Sequence, residues 1–281
     1  MSQIIACIDT SPSAQGVCQA SAWCGLRLSA PVLALHAIER NELAHVDLTG
    51  AIGLGAREHL LAELAELDHQ RAKLAIEQGR VMLSAAEQEI QAAGHLDTES
   101  MQQHASLSEA LSDLSASTRV VVLGRQGQDH AEPSQAVGSQ LETIVRLAEH
   151  PVLVTPRVFQ TPTQAVIAYD GSATSERMLD RLCASPLLKS LPIEVVLAGT
   201  DDEPHQEIVR RATEKLAAAN LQARSRILHE EPLLAIRELA QQPDTLLCMG
   251  AYGHSRIREF LIGSTTTETL RHAKCSVLLI R

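Results

Sequence analysis

QIIACIDTSPSA (residues 3–14) and QAVIAYDGSATS (residues 164–175) carry one pattern twice: an apolar run, an acidic residue at its end (Asp9 or Asp170), then small hydroxyl residues. The duplication continues downstream. RVVVLGRQG (119–127) matches TLLCMGAYG (245–253), HPVLVTP (150–156) matches CSVLLIR (275–281), and His104 and His229 each precede a helix-like segment. Self-similarity on this scale means one structural unit used twice. In each half, apolar runs of strand length alternate with helical patterns, which implies parallel strands joined by crossover helices. The strands are expected at IIACI, VLALHAI, TESMQQHA, VVVLG and VLVTP, then at AVIAY, EVVLAG, ARSRILH, TLLCMG and SVLLIR. The fold class is therefore α/β: two tandem open five-stranded parallel sheets with helices on both faces. Such sheets bind ligands beyond the carboxyl ends of the strands, where the strand order reverses. Both aspartates and both glycine loops fall at strand ends.

The chain has 281 residues, enough for two domains, set at 1–156 and 163–281 with the linker-like RVFQTPTQ between them. Apolar residues make up 45% and charged residues 21%, as in a globular protein, while only 2% are aromatic, so the cores are aliphatic. A net charge of −10 and the absence of a basic run argue against a nucleic-acid partner. Six cysteines form no CxxC pair and no zinc-ligand spacing, and they read as reduced, buried thiols. The opening MSQIIACIDTSPSA lacks the basic head and long apolar region of a secretory signal, and no apolar stretch approaches the ~20 residues of a membrane span. A cytoplasmic protein without a membrane partner is expected.

The stretch from Asp9 to Gly124 exceeds that from Asp170 to Gly250 by about 35 residues, which lie between residues 41 and 94. Leu60, Leu64, Leu67, Leu74 and Val81 follow helical spacing there, so a long amphipathic helix is expected, with this stripe packed on the sheet. Arg71 and Gln78 interrupt the stripe and argue against a partner-binding coiled coil.

The second half has the spacing Gly-x2-Gly-x9-Gly-Ser: Gly250 ends a strand, Gly253 allows a tight turn, and Gly263 precedes a helix beginning STTTETL. Absent side chains let backbone approach a ligand, and the free N–H groups and dipole of a helix start attract an anion such as a polyphosphate. A plainer reading makes Gly263 and Ser264 a loop end and helix cap, with Thr265 and Glu268 in a capping box. No GK[ST] follows the glycines, so a Walker A loop is excluded, and GxGxxG is absent too.

This spacing, with Asp170 upstream and SVLLI downstream, resembles the ATP-binding subgroup of the universal stress protein family, in two tandem copies covering nearly the whole chain. The resemblance implies a Rossmann-like, adenine nucleotide alpha hydrolase-like fold whose domains pair through their last strands. A tandem chain then pairs its own domains internally, with a homodimer also open to it. It implies a site in which Asp170 lies near the ribose, phosphates or their Mg²⁺, and Gly199 offers backbone to the adenine. Met249 and Gly250 would line the base and ribose, Gly253 and His254 the phosphate loop, and Gly263, Ser264, Thr265 and Thr266 the phosphate cradle. Arg256 and Arg258 read as a solvated face rather than as ligands.

The first half keeps a weaker version of this site in Asp9, Ala37, Gly124, Gly127, Gly138 and Ser139. Ten residues rather than nine separate its last two glycines, and Gln140 and Leu141 replace Thr265 and Thr266. Ser139 with Glu142 also makes a good capping box. His36, inside an apolar strand, reads as a hydrogen-bonded core or crevice histidine, and no nucleophile, base and orienting group assemble into a triad. The expectation is an adenine-nucleotide binder, with ATP and Mg²⁺ foremost, in a regulatory and largely non-catalytic role in stress response. The alternative is a nucleotide-independent interaction scaffold with vestigial sites.

Overall fold

The computed structural model describes residues 2–38, 54–125, 139–250, 270 and 273–281. The first half runs β1 (Gln3–Cys7), α1 (Ala14–Leu28), β2 (Val32–Ala37), α2 (Leu54–Ala92), β3 (Thr98–Gln103), α3 (Leu107–Asp113), β4 (Thr118–Gly124), α4 (Ser139–Leu147) and β5 (Val152–Thr155). The second runs β6 (Gln164–Ala168), α5 (Ala173–Cys183), β7 (Ile193–Ala198), α6 (Glu203–Ala218), β8 (Ala223–Leu228), α7 (Pro232–Leu239), β9 (Thr245–Gly250) and β10 (Ser276–Ile280). Each strand overlaps the apolar or repeat-matched stretch that the sequence marks for it, with β4 and β7 each starting one residue earlier.

The ten strands form a single sheet in the order β3-β2-β1-β4-β5-β10-β9-β6-β7-β8. Inside each half all neighbours are parallel, and at the centre β5 meets β10 antiparallel, with Leu153 opposite Leu278. The two five-stranded parallel sheets join edge to edge at their last strands into one mixed sheet, and composition supplies a reason. VLVT and SVLLI are buried along their whole length. As free edges they would expose unpaired backbone groups flanked by apolar side chains. The true outer edges, β3 and β8, are instead more polar, with half of their residues exposed and none buried (TESMQQ and ARSRIL).

Alternation along the strands divides the core into two layers. Ile4, Ala6, Ala165 and Ile167 face the layer covered by α1, α2, α5 and α6, whereas Ile5, Cys7, Val166 and Ala168 face that of α3, α4 and α7. Both layers contain residues of both halves, so hydrophobic burial is continuous across the β5–β10 seam. The segment between β5 and β6 is packed as well: Phe159 lies 6.2 Å from Trp23, ring to ring. At Gly16 in α1, a Cβ would stand 2.3 Å from the Pro156 carbonyl oxygen, so only glycine admits this approach.

The cysteines are free and, except for half-buried Cys183, buried. Burial pushes the thiols of Cys18, Cys24 and Cys275 up to about 12, and those of Cys7 and Cys248 also upward. All therefore remain protonated at neutral pH and act as small apolar groups.

One expectation needs correction. The long helix forms as α2 and packs against α1, β2 and β3, but through Gly79, Leu83, Ala86 and Ile90. Leu67, Leu74 and Val81 are 51%, 71% and 63% exposed. Two stripes of α2 have helical period, and spacing alone does not say which one meets the body. Close approach decides it. A Cβ at Gly79 would sit 2.7 Å from His36 Cδ2, so this glycine lets α2 settle over β2.

Candidate functional site

In the second half, the chain steps from β6 to β7 and β8 on one side, then crosses to β9 and β10 on the other, so the strand order reverses at β6 and β9. Ala168 is in register with both Met249 and Val196. This alignment brings Asp170, Gly199, Met249 and Gly250 together at the carboxyl ends of three adjacent strands. Asp170 Oδ1 accepts a hydrogen bond from the Ser172 N–H at 3.0 Å, and Gly171 takes φ +72° so that the chain can turn directly into α5. Ser172 caps that helix, accepting from the Ser175 N–H at 3.2 Å.

The two described glycines of this site have close protein neighbours. A Cβ at Gly250 would lie 3.1 Å from Thr174 Cγ2, so its absence lets the start of α5 close on the end of β9. At Gly199 a Cβ would lie 3.1 Å from His205 Nε2. The Met249 side chain is buried in the core layer of α3, α4 and α7, which leaves its backbone at the strand end. Gly253, His254, Gly263, Ser264, Thr265 and Thr266, with Arg256 and Arg258, lie outside the described residues.

Sequence reasoning missed two neighbouring clusters. Beyond β7, Asp202 caps α6 by accepting from the His205 N–H at 3.0 Å, and its carboxylate also meets the His205 ring and the Thr200 hydroxyl, both at 2.5 Å. The Thr200 hydroxyl, then the His205 backbone and ring, hold the Asp202 carboxyl down at about 2. An Asp two residues before Pro204 was the available signal, since Pro is favoured in a first helical turn. Beside Asp170, the buried Tyr169 donates to Glu176, whose carboxylate also meets Lys215 at 3.0 Å. Burial first, then Glu176, raises the Tyr169 hydroxyl's pKa.

The first half repeats the geometry with different loads. Asp9 Oδ1 accepts from the Ser11 N–H at 3.0 Å, the same turn that Asp170 makes. Burial raises the Asp9 carboxyl's pKa, opposed by the Ser11 hydroxyl and N–H and by His36. His36 Nδ1 lies 2.9 Å from the Ile8 carbonyl and donates to it, a hydrogen-bonded histidine at the inner edge of the crevice. Ala37 and Gly124 end β2 and β4 on either side of β1. Arg125, next after Gly124, sends its guanidinium across the seam to the Ala273 carbonyl. Gly127 and Gly138 lie outside the described residues, and Ser139 is described only as the first residue of α4. Among the described residues no group of three or more His, Cys, Asp or Glu could hold a metal ion, and no helix is long and apolar enough to cross a membrane.

The sequence model of the universal stress protein family matches this chain twice, over residues 1–156 and 163–281. The chain belongs to the universal stress protein family. Its arrangement is that of a tandem, two-domain member. Universal stress protein Slr1230 of Synechocystis sp. is 35% identical over 288 residues and is covered, like this chain, over its full length. The fold is similar to that of a universal stress protein from Archaeoglobus fulgidus (TM-score 0.70, 17% identity, 99% of this chain and 98% of that one). It also resembles protein PA1789 of Pseudomonas aeruginosa (TM-score 0.59, 14% identity, 99% of this chain and 92% of that one). In this universal stress protein the Rossmann-like architecture is thus accounted for, and the crevices at β6/β9 and β1/β4 are the places where that architecture binds ligands.

Proposed function

We propose that this universal stress protein binds an adenine nucleotide, ATP with Mg²⁺, in the crevice of its second domain (163–281), and that occupancy regulates its conformation or association rather than driving turnover. The observation that carries the reading is the meeting of Asp170, Gly199 and Gly250 at one strand-order reversal, from which the Gly-x2-Gly-x9-Gly-Ser segment departs. In this reading Asp170 faces the ribose, phosphates or their Mg²⁺, backbone at Gly199 and Met249 meets the base, and Gly253, His254, Gly263, Ser264, Thr265 and Thr266 hold the phosphates. The first domain (1–156) keeps the frame but has the longer loop and fewer hydroxyls, so it is the weaker binder.

Adding ATP and Mg²⁺ to nucleotide-free protein raises its Tm if the reading holds, because a ligand that binds only the folded state stabilises it by mass action, about 2.7 kcal/mol at a hundredfold excess over Kd. Replacing Gly263 with Val fills the phosphate space and removes the shift. A shift that survives in Gly263→Val sinks the site assignment. Steady phosphate release over many turnovers per minute, lost in the same variant, replaces the regulatory reading with an enzymatic one. A second reading, a scaffold with vestigial sites, is favoured by the exposed leucine stripe of α2. It predicts no shift in either protein.

A further inference from the structure

We propose that α2 is a self-association element, pairing antiparallel with α2 of a second copy of this chain. The proposal stands independently of nucleotide binding. Leu67, Leu74 and Val81 recur every seventh residue, and Leu64, Arg71 and Gln78 stand three residues before each of them. The spacing is that of a 3.5-residue coiled-coil seam, with Arg71 and Gln78 putting polar groups at two of its six positions, so a pairing has to accommodate both of them. The seam faces away from the body: Leu74 and the buried Leu83, nine residues apart, stand roughly 180° apart around the helix axis.

The helix spans 39 residues, or roughly 58 Å. Along its described surface from Glu63 to Leu74, Leu64 is half-buried while Ala65, Glu66, Leu67 and residues 69–74 are exposed, so this portion projects beyond the sheet. A helix exposed on nearly every side gains little from its own domain, and packing normally supplies most of a helix's stability. The partner must therefore cover the seam.

A second copy fits with the two-fold axis between Ala72 and Lys73. Leu64 then lies against Val81 of the partner subunit, Leu67 against Gln78 of the partner subunit, and Arg71 against Leu74 of the partner subunit. At the flanks Glu63 faces Ser84 of the partner subunit and Gln70 faces Glu77 of the partner subunit, with no like charges opposed in these pairs. Glu77 of the partner subunit comes within one turn of each Arg71, giving that cation a counter-charge. Shifting the register by a heptad either way sets Glu63 against Glu77 of the partner subunit, or Glu77 against its own copy. A parallel pair stacks Arg71 on Arg71 of the partner subunit. Only the central antiparallel register avoids all of these. Stripes of this length remove on the order of 1,000 Å² in total, the lower bound for a specific interface, which suits a weak, concentration-dependent dimer.

Analytical ultracentrifugation of the full chain from ~1 to ~200 µM tests the proposal, with affinity read as a midpoint. A dimer is expected at the upper end, and Leu67→Glu with Leu74→Glu is expected to raise the dissociation constant at least a hundredfold while leaving the Tm of dilute protein unchanged. A spin label at Val81→Cys, measured by pulsed EPR, fixes the orientation: the antiparallel pair separates the two labels along the axis by roughly 25 Å, whereas a parallel pair brings them into contact. A chain that stays monomeric at 200 µM overturns the proposal. So does a dimer indifferent to the double variant, or one with labels in contact.

Discussion

Replacing Asp9 with Asn separates the cost of a crevice carboxylate from its use. The isosteric amide keeps an oxygen to accept the Ser11 N–H but removes a charge that burial disfavours. Because the folded-state pKa of Asp9 lies above its unfolded value of 3.8, folded protein holds the proton more tightly, and wild-type stability falls as pH rises through the folded pKa. Above the folded pKa the penalty is fully present, and there Asp9→Asn is expected to stabilise by about 1 kcal/mol, the usual gain from relieving a destabilised functional position. For a chain of this size that is roughly 2–4 °C in Tm. The advantage shrinks as pH falls through the folded pKa and is lost only below the unfolded value of 3.8, where the wild-type group is protonated in both states. Differential scanning calorimetry of nucleotide-free protein between pH 4 and 8 measures it. Asp9→Asn should also leave nucleotide binding intact, whereas Asp170→Asn, with the same local turn, should weaken it. A lower Tm, or a gain that does not change with pH, refutes the burial argument, and nucleotide lost on replacing Asp9 refutes the ranking of the two crevices.

Two further expectations test the frame around the site. Gly16→Ala gains up to about 1 kcal/mol of helix propensity but drives a methyl into the Pro156 carbonyl, and overpacking against backbone costs about 1–3 kcal/mol; a net fall in Tm is expected by calorimetry, and a rise contradicts the close packing of α1 on the linker. Ile90→Ala, at the fully buried foot of α2, should lower stability by about 2–5 kcal/mol in urea unfolding, while Leu74→Ala on the outer stripe should cost under 1 kcal/mol in dilute protein; comparable losses would mean that the two faces of α2 are wrongly assigned.

How much of this was legible depended on whether the signal was local. VVVL, VLAL and LLCM announce buried strands by unbroken apolar runs, and Asp9 and Asp170 mark the strand ends because each closes its turn on a residue two places ahead. The polar edge strands TESMQQ and ARSRIL carry little apolar signal and were placed through the repeat. No period within VLVT or SVLLI distinguishes a free edge from a seam; the family resemblance alone pointed to pairing through the last strands, and its antiparallel register, Leu153 opposite Leu278, came from the structure. The stripe Leu67, Leu74 and Val81 was legible as a stripe but not as an outward one, because what turns α2 is the small Gly79 approaching His36 from a distant strand. The Thr200, Asp202 and His205 cluster was half legible: Asp202 before Pro204 signals a helix cap, but a capping motif in sequence does not say that the His205 ring closes over Gly199.

The central claim is that one crevice, in the second domain, holds an adenine nucleotide. Denaturing the purified protein and chromatographing the supernatant counts what it carried. The account predicts about one equivalent of adenine nucleotide per chain, absent from Gly263→Val and retained in Asp9→Asn. Two equivalents, or a full equivalent still bound to Gly263→Val, would contradict it.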